Sequence, residues 1–354
     1  MEIRRPRFVA AVTLGFALIL LGKAGYGQQP SPFYQGKTLT IIQGREPGGT
    51  GDMRVRAVLA FLKKYIPGQP NVVSEFMPGG GGRKATNHIF RGAKPDGLTL
   101  GNVGAGLVAN AILGQTGVQY DLDKLTYLGS PNSASQYVFL SRREAGLGSL
   151  EKLRATPGVR IGAQTVGHDI YINGRLFAYL IGLKDPKFVT GYSGPEVDLA
   201  LMRGELDARA NIADTIVTRT PEWIEKGLID FHAILEIPRG EKHPRFLQLP
   251  ELESFAKSDN ERKLLAMFRS FRLTGSPYIL PPGTPKERVQ ILQEAIRKTF
   301  KDPEFRKEFK KLTGDDPTPL MPEAHEKAVR ELPRDPEIVK FFKKIAGGDP
   351  LPPR

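Results

Sequence analysis

The chain has 354 residues and carries 51 Lys and Arg against 38 Asp and Glu, a formal net charge of +13, with no cysteine. The missing thiol excludes disulfides, thiolate metal sites and cysteine nucleophiles, and with them a lipoprotein anchor, which needs a cysteine just after cleavage. The apolar fraction, 40%, is ordinary for a folded protein, and the length suggests two domains.

Arg4, Arg5 and Arg7 precede an uncharged apolar run over 8–21, followed by small residues with Gly25 and Gly27 in a small-x-small pattern. This is the layout of a secretory signal peptide over 1–27, and it predicts a periplasmic protein. A retained anchor is the alternative, although the run is shorter than the roughly 20 residues of a comfortable membrane span. Cleavage after Gly27 would remove four basic residues and one acidic, leaving a net charge of +10. The basic residues, dense in 298–311 and 340–344, are interleaved with Glu and Asp rather than with aromatic stacking platforms. They read as solvated helix faces, so no nucleic-acid partner is expected; the charge instead helps to attract anionic solutes or reflects the compartment.

Along the mature chain, 39–43 reads as a short buried strand, and 52–66 as a helix with Val55, Val58, Leu59, Leu62 and Ile66 on one face. Glu46-Pro47-Gly48-Gly49-Thr50-Gly51-Asp52 joins them. A glycine-rich turn that opens a helix suits an anion, because the backbone can approach closely, the first-turn N–H groups lack intrahelical partners and the dipole favours negative charge. The alternative is a tight turn that binds nothing. A strand over 71–76 follows, then the Gly-rich turn 78–82, a helix to about Phe90, a turn at 95–97 and a strand over 98–103 that ends at Gly104-Ala105-Gly106.

The middle of the chain repeats this order. A strand at 159–163 leads through the loop 164–169 to a helix over 170–181, and a strand at 188–191 leads through Tyr192-Ser193-Gly194-Pro195 to a helix over 197–203 ended by Gly204. Strands follow at 208–211 and within 229–237. Repeated β-turn-α units predict parallel sheets with helices on both faces, and ligands in such sheets sit at the carboxyl ends of the strands, where these turns lie. Beyond 281–283 the chain is predicted helical. Thr284-Pro285-Lys286-Glu287 reads as a capping box, Val289, Leu292, Ile296 and Phe300 as a buried stripe, and Asp302-Pro303 as a helix restart before Phe305, Phe309 and Leu312. Residues 347–354 read as a frayed end.

No enzyme constellation emerges. In Gly79–Thr86, Lys84 is followed by Ala85, against the phosphate-loop pattern. Arg54 stands where a dinucleotide fingerprint needs its third glycine. The five histidines lack metal-ligand spacing, and no Gly-x-Ser-x-Gly elbow occurs. His168-Asp169 could form a general-base pair, which keeps an exported α/β hydrolase or isomerase as the alternative reading.

These residues together resemble the periplasmic substrate-binding receptors of tripartite tricarboxylate transporters, the Bug or TctC family, over nearly all the mature chain. The matching segments are Tyr34-x-Gly36-Lys37 with its following strand, Pro47 to Asp52, Pro78 to Gly82, Pro95 to Leu100, Tyr120-Asp121, Tyr192-x-Gly194, Gly204-x-x-Asp207, Pro282 to Pro285 and Asp302 to Phe305. The resemblance implies an α/β fold, a two-lobed clamshell in which each lobe is a mostly parallel sheet flanked by helices. Residues 34–132 and 250–300 would form the first lobe, 133–249 the second, and the helices of 301–354 would pack across both.

It further implies a monomeric, non-enzymatic receptor without cofactor or metal. Such a receptor closes on a small organic anion, a carboxylate, and works with the membrane subunits of a tripartite transporter or with a sensor protein. Carried over by position, the ligand-binding candidates are Gly48, Gly49, Thr50, Asp52, Gly104 and Ala105 in the first lobe, and Gln164, Thr165, Gly167, His168, Tyr192, Gly194, Asn211 and Asp214 in the second. Asp52 is expected to cap the helix or orient the turn rather than meet a carboxylate, since like charges repel. The chain departs from the family at Arg45-Glu46, where an aromatic or apolar pair is usual, at Phe76-Met77, at His168 and at Tyr171. Arg45 either faces the cleft and adds a charge-assisted contact to the ligand, or lies on the surface paired with Glu46 or a nearby carboxylate.

Overall fold

The computed structural model describes residues 1–2, 32–104 and 106–354; the expected signal segment and Ala105 lie outside the described residues. In chain order the strands are β1 (Thr38–Gln43), β2 (Asn71–Phe76), β3 (Thr99–Asn102), β4 (Thr126–Gly129), β5 (Tyr137–Arg142), β6 (Arg160–Gly162), β7 (Lys187–Val189), β8 (Ala208–Ile212), β9 (Ile229–Leu235) and β10 (Tyr278–Leu280). The helices are α1 (Thr50–Tyr65), α2 (Arg83–Arg91), α3 (Gly106–Ile112), α4 (Leu150–Ala155), α5 (Asp169–Ile181), α6 (Gly194–Met202), α7 (Ala213–Arg219), α8 (Pro221–Glu225), α9 (Asp259–Leu273), α10 (Lys286–Lys301), α11 (Pro303–Thr313), α12 (Pro322–Arg330) and α13 (Pro336–Ala346).

Two five-stranded sheets form, in the orders β2-β1-β3-β10-β4 and β7-β6-β8-β5-β9. The β-turn-α units make β1 parallel to β2 and β3, and β6 parallel to β7 and β8. In each sheet one strand runs against the other four: β10 is antiparallel to β3 and β4, and β5 to β8 and β9. Both reversed strands follow a crossing from the opposite lobe, so they enter their sheet from the edge where the parallel strands end. The fold is the α/β two-lobed arrangement expected from the sequence, with this reversal added.

The first sheet packs through Leu39 and Ile41 against Val55, Val58 and Leu62 of α1, and through Tyr278 and Leu280 against Leu292, Ile296 and Phe300 of α10. The second buries Val138 and Leu140 against Val197, Leu201 and Trp223, and its other face covers α5, of which Ile170–Ile181 are all buried. Apolar side chains on period-2 strands and one helix face thus find each other across layers, the ordinary origin of such a sandwich.

Two expectations fail. Thr284 does not open a capping box: α10 starts at Lys286 with Pro285 at its N-cap, and the Thr284 hydroxyl donates to the Pro281 carbonyl at 2.8 Å. Complete boxes occur instead at Ser193/Glu196 and Ser258/Glu261, where the serine itself takes the N-cap position directly before the helix. The terminal segment is also not frayed. Arg175, 1% exposed, donates to the carbonyls of Ile345 and Asp349, the latter at 2.6 Å, and the Tyr171 hydroxyl donates to Gly347 O at 2.9 Å. Arg354 pairs with Glu261 at 2.8 Å and donates to the carbonyls of Leu180 and Phe255. Sequence polarity suggested a free end because its partners come from elements 93 to 176 residues away. Deleting residues 349–354 strips Arg175 and Glu261 of buried partners and is expected to lower the melting temperature by about 5–10 °C in calorimetry.

Two buried histidines predict acid sensitivity. His325 is 0% exposed and tilts against Tyr127 at 5.0 Å, and His232 sits 2.7 Å from the Ser141 hydroxyl; burial lowers each from 6.5 to about 4. The folded state therefore keeps both neutral where the unfolded chain already binds protons. Stability is full above pH 6.5 and is lost as pH falls from there toward about 4, by roughly 3 kcal/mol for each histidine. Denaturant titrations between pH 7 and pH 4 should show this slope, and His325→Phe should about halve it, His232 supplying the rest.

Candidate functional site

The turns that follow β1, β2 and β3 meet those that follow β6, β7 and β8, and between them lies a cavity of about 150 Å³. From the first lobe it is lined by Arg45, Gly49, Thr50, Gly51, Arg54, Gly79, Gly81 and Gly104; from the second by Gln164, Thr165, His168, Asp169, Tyr192, Gly194, Arg209, Asn211, Thr215 and Arg219. Arg272 and Ser276, on the chain returning to the first lobe, complete it. The lobes touch directly around this space. Thr50 Oγ1 lies 3.1 Å from Thr215 Oγ1, and the Gly81 N–H donates to Thr165 Oγ1 at 3.1 Å. Gly81, with φ +61°, leaves no room for a side chain: a Cβ there would lie 2.3 Å from the Gly167 carbonyl carbon.

The first Gly-rich turn is held in shape by Asp52. Its buried carboxylate accepts the Gly48 N–H at 2.9 Å, the Gln43 amide at 3.0 Å and the Arg56 guanidinium at 2.8 Å. Burial alone would raise this carboxyl; the three donors outweigh it and hold it below the usual range. Asp52 thus orients the turn, while the cap position of α1 belongs to Gly49, which makes no side-chain cap. Thr50 and Gly51, which line the cavity, open α1 with amides that lack intrahelical acceptors, whereas the Asp52 amide donates to the Gly49 carbonyl at 2.9 Å.

Arg45 takes the cleft position rather than the surface one. Its Nη2 donates to the Asn102 side-chain oxygen at 2.7 Å and to the Asn102 carbonyl at 3.2 Å, and it forms no ion pair with Glu46 or any other described carboxylate. A Cβ on Gly51 would lie 2.0 Å from Arg45 Nη1, so the guanidinium lies directly against the first turn of α1. Burial lowers its pKa, with Tyr278 and Asp169 opposing. Two positive features, a guanidinium and a helix N-terminus, are therefore stacked side by side.

The cavity holds five arginines against three acidic residues, Glu46, Asp169 and Asp198. Asp198 pairs with Arg209, Asp169 with Arg272 at 3.2 Å, and Arg54 pairs with Asp315 at 2.9 Å outside the cavity. Arg45 and Arg219, one from each lobe, have no ion-pair partner among the described residues. Arg272 is 7% exposed, and among the described residues its Nε and Nη1 make no hydrogen bond and the buried Gln164 Oε1 has no donor. His168 caps α5, its Nδ1 accepting the Ile170 N–H at 3.2 Å, and lies 2.9 Å from Asp169 Oδ1. Burial would raise the Asp169 carboxyl, but His168, Arg272 and Arg45 together hold it far below the carboxylate range.

Of the residues expected from the sequence, Arg45, Gly49, Thr50, Gly104, Gln164, Thr165, His168, Tyr192, Gly194 and Asn211 line this one cavity. Gly48 and Asp52 stand behind it as described. Gly167 packs against Arg83 and Asn110, and Asp214 bonds His243 Nε2 at 3.0 Å. Sequence reasoning missed Arg54, Asp198, Arg209, Arg219 and Arg272. Arg209 alone carried a local signal, a cation among alanines in the buried strand Ala208–Ile212.

No family profile matches the chain, and no curated protein does. Among solved structures the chain is similar to the periplasmic binding protein BugD (18% identity, TM-score 0.68, covering 89% of this chain and 99% of that one). It is similar to MatC from Rhodopseudomonas palustris with bound malate (19%, 0.66, 88% and 99%), and to another R. palustris protein with adipate (16%, 0.65, 88% and 96%). The chain therefore has the fold of the Bug-type periplasmic binding proteins from end to end of their length.

Proposed function

We propose that the protein is a periplasmic solute receptor of the Bug/TctC type that binds a small organic anion with carboxylate ends in the cavity between its lobes. The observation that carries this reading is the Arg45 guanidinium, without a carboxylate partner, laid against the N-terminal turn of α1. Each alone attracts an anion, and side by side they repel each other until one arrives. Arg219 offers a second uncompensated cation from the other lobe, which favours a ligand with two negative ends. The malate and adipate in two structural neighbours are of that class. The first sheet acts as one lobe and the second as the other, with the return crossing at 274–277 rather than at the 250 expected from the sequence, and the ligand is passed on to membrane transporter subunits or to a sensor.

The hydrolase or isomerase reading has less support: His168 Nδ1 caps α5 at the Ile170 amide and lies 2.9 Å from Asp169, which is shared with Arg272, so both residues have structural roles here. Calorimetric titration with malate, adipate and acetate tests the reading. One-to-one binding of a dicarboxylate, a raised melting temperature and full recovery of the ligand are expected. Consumption of the ligand, or no binding by any organic acid in a wider panel, would overturn it.

A further inference from the structure

The chain crosses between lobes twice, at 130–136 between β4 and β5 and at 274–277 between α9 and β10, and a third segment, 314–320, lies along the first crossing. The three are bonded together. The Ser276 N–H donates to Ser130 Oγ at 2.9 Å, and the Ser133 and Ala134 amides donate to Thr318 Oγ1 at 3.0 and 3.1 Å. A Cβ at Gly275 would lie 2.0 Å from the Asn132 carbonyl oxygen, so the crossings are in contact.

Arg54 joins this bundle to the cavity. It lines the cavity from α1 and is 4% exposed. Its Nη1 donates to Asn132 Oδ1 at 3.0 Å, and its Nη2 to Asp315 Oδ2 at 2.9 Å, with Ser135 Oγ at 3.5 Å. Asn132 in turn donates to Ser135 Oγ at 2.7 Å. The Arg54 Nε is buried with no acceptor among the described residues. One side chain therefore holds the first crossing and the third segment while lining the site.

We propose that Arg54, held by Asp315 and Ser135, is the positioning residue that sets the angle between the lobes, so that charge in the cavity and lobe closure are coupled through it. Asp315 does not line the cavity; its side chain bonds Arg54 and Thr313, so its effect on closure is read together with that of Ser135, which meets Arg54 from the first crossing. The proposal rests on the receptor reading only for its ligand-bound arm.

The absence of cysteine makes the test direct. Lys63→Cys on α1 and Glu151→Cys on α4, both exposed, place one dye on each lobe for single-molecule energy transfer. Asp315→Asn and Ser135→Ala should each raise the open-to-closed ratio about tenfold, without ligand and with malate as probe, in proteins that still melt cooperatively. Asp315→Glu should restore the ratio, which a general loss of stability would not do. Wild-type distributions in both Asp315→Asn and Ser135→Ala would overturn the proposal. Should Asp315→Asn fail to fold, Ser135→Ala, which strands no charge, decides alone. A wild-type protein indifferent to malate would count against the receptor reading and leave the ligand-free arm to judge this one.

Discussion

Replacing Arg45 with alanine is expected to weaken binding of malate, or of whichever carboxylate proves tightest, by about a hundredfold, while leaving the folded protein as stable as before or slightly more so. The opposite signs follow from the geometry. In the bound state the guanidinium supplies charge-assisted bonds worth about 1.5–3 kcal/mol. In the free protein it stands against the positive end of α1, a juxtaposition that costs about 0.3–1 kcal/mol, and it has only Asn102 to hold it. Titration calorimetry measures the first effect and denaturant unfolding the second. Arg45→Lys should fall between, because a point charge keeps the attraction but loses the planar fork. An Arg45→Ala protein that binds as well as wild type would remove the central support for an anionic ligand.

Gly81→Ala should be as damaging by a different route. The added methyl group would meet the Gly167 carbonyl at 2.3–2.4 Å, across the line where the lobes touch. Backbone on both sides leaves nothing flexible to give way, so the lobes cannot reach the closed arrangement. Binding should weaken by about a hundredfold or more, since the second lobe's groups no longer reach the ligand, and the radius of gyration in solution scattering should stay at its open value when ligand is added. The folded protein loses only the cost of a positive φ on alanine, about 1 kcal/mol. Gly79→Ala provides the control: it also has a positive φ, 127°, but its Cβ would meet nothing closer than Lys84 at 3.7 Å. If Gly79→Ala and Gly81→Ala lose affinity equally, loop strain and not blocked closure explains the effect.

The fold was readable because it is written in local order. Alternating short apolar strands, glycine turns and amphipathic helices recur in both halves, and each glycine turn could be assigned to the carboxyl end of its strand before any coordinates. What local order does not encode is where distant pieces insert. Tyr278–Leu280 is three residues long and gives no strand signal of its own; its place between β3 and β4 is set by the crossing that delivers it. The same reason hid the terminal segment, whose anchors Arg175 and Glu261 are ordinary charged residues until they are seen buried.

At the site the backbone contributors were legible and most of the charged ones were not. Turns such as Gly48–Asp52 and Tyr192–Gly194 announce themselves by composition. Arg54 and Arg272 occur within helices as any surface arginine might, and only the three-dimensional packing turns them inward. Arg45 was the intermediate case. Its adjacency to the turn was visible in the sequence, but the choice between cleft and surface depended on Asn102, 57 residues away, being there to receive it.

The position of β10 also governs how the molecule comes into being. Among the described residues β4 has no sheet partner except β10, so its hydrogen-bonding edge stays bare until residue 278 has left the ribosome, some 150 residues later. Sequence-distant pairing of this kind slows folding and keeps nascent chains loose. A polypeptide assembled in that order cannot close its first half into a finished body before the later crossing has been made.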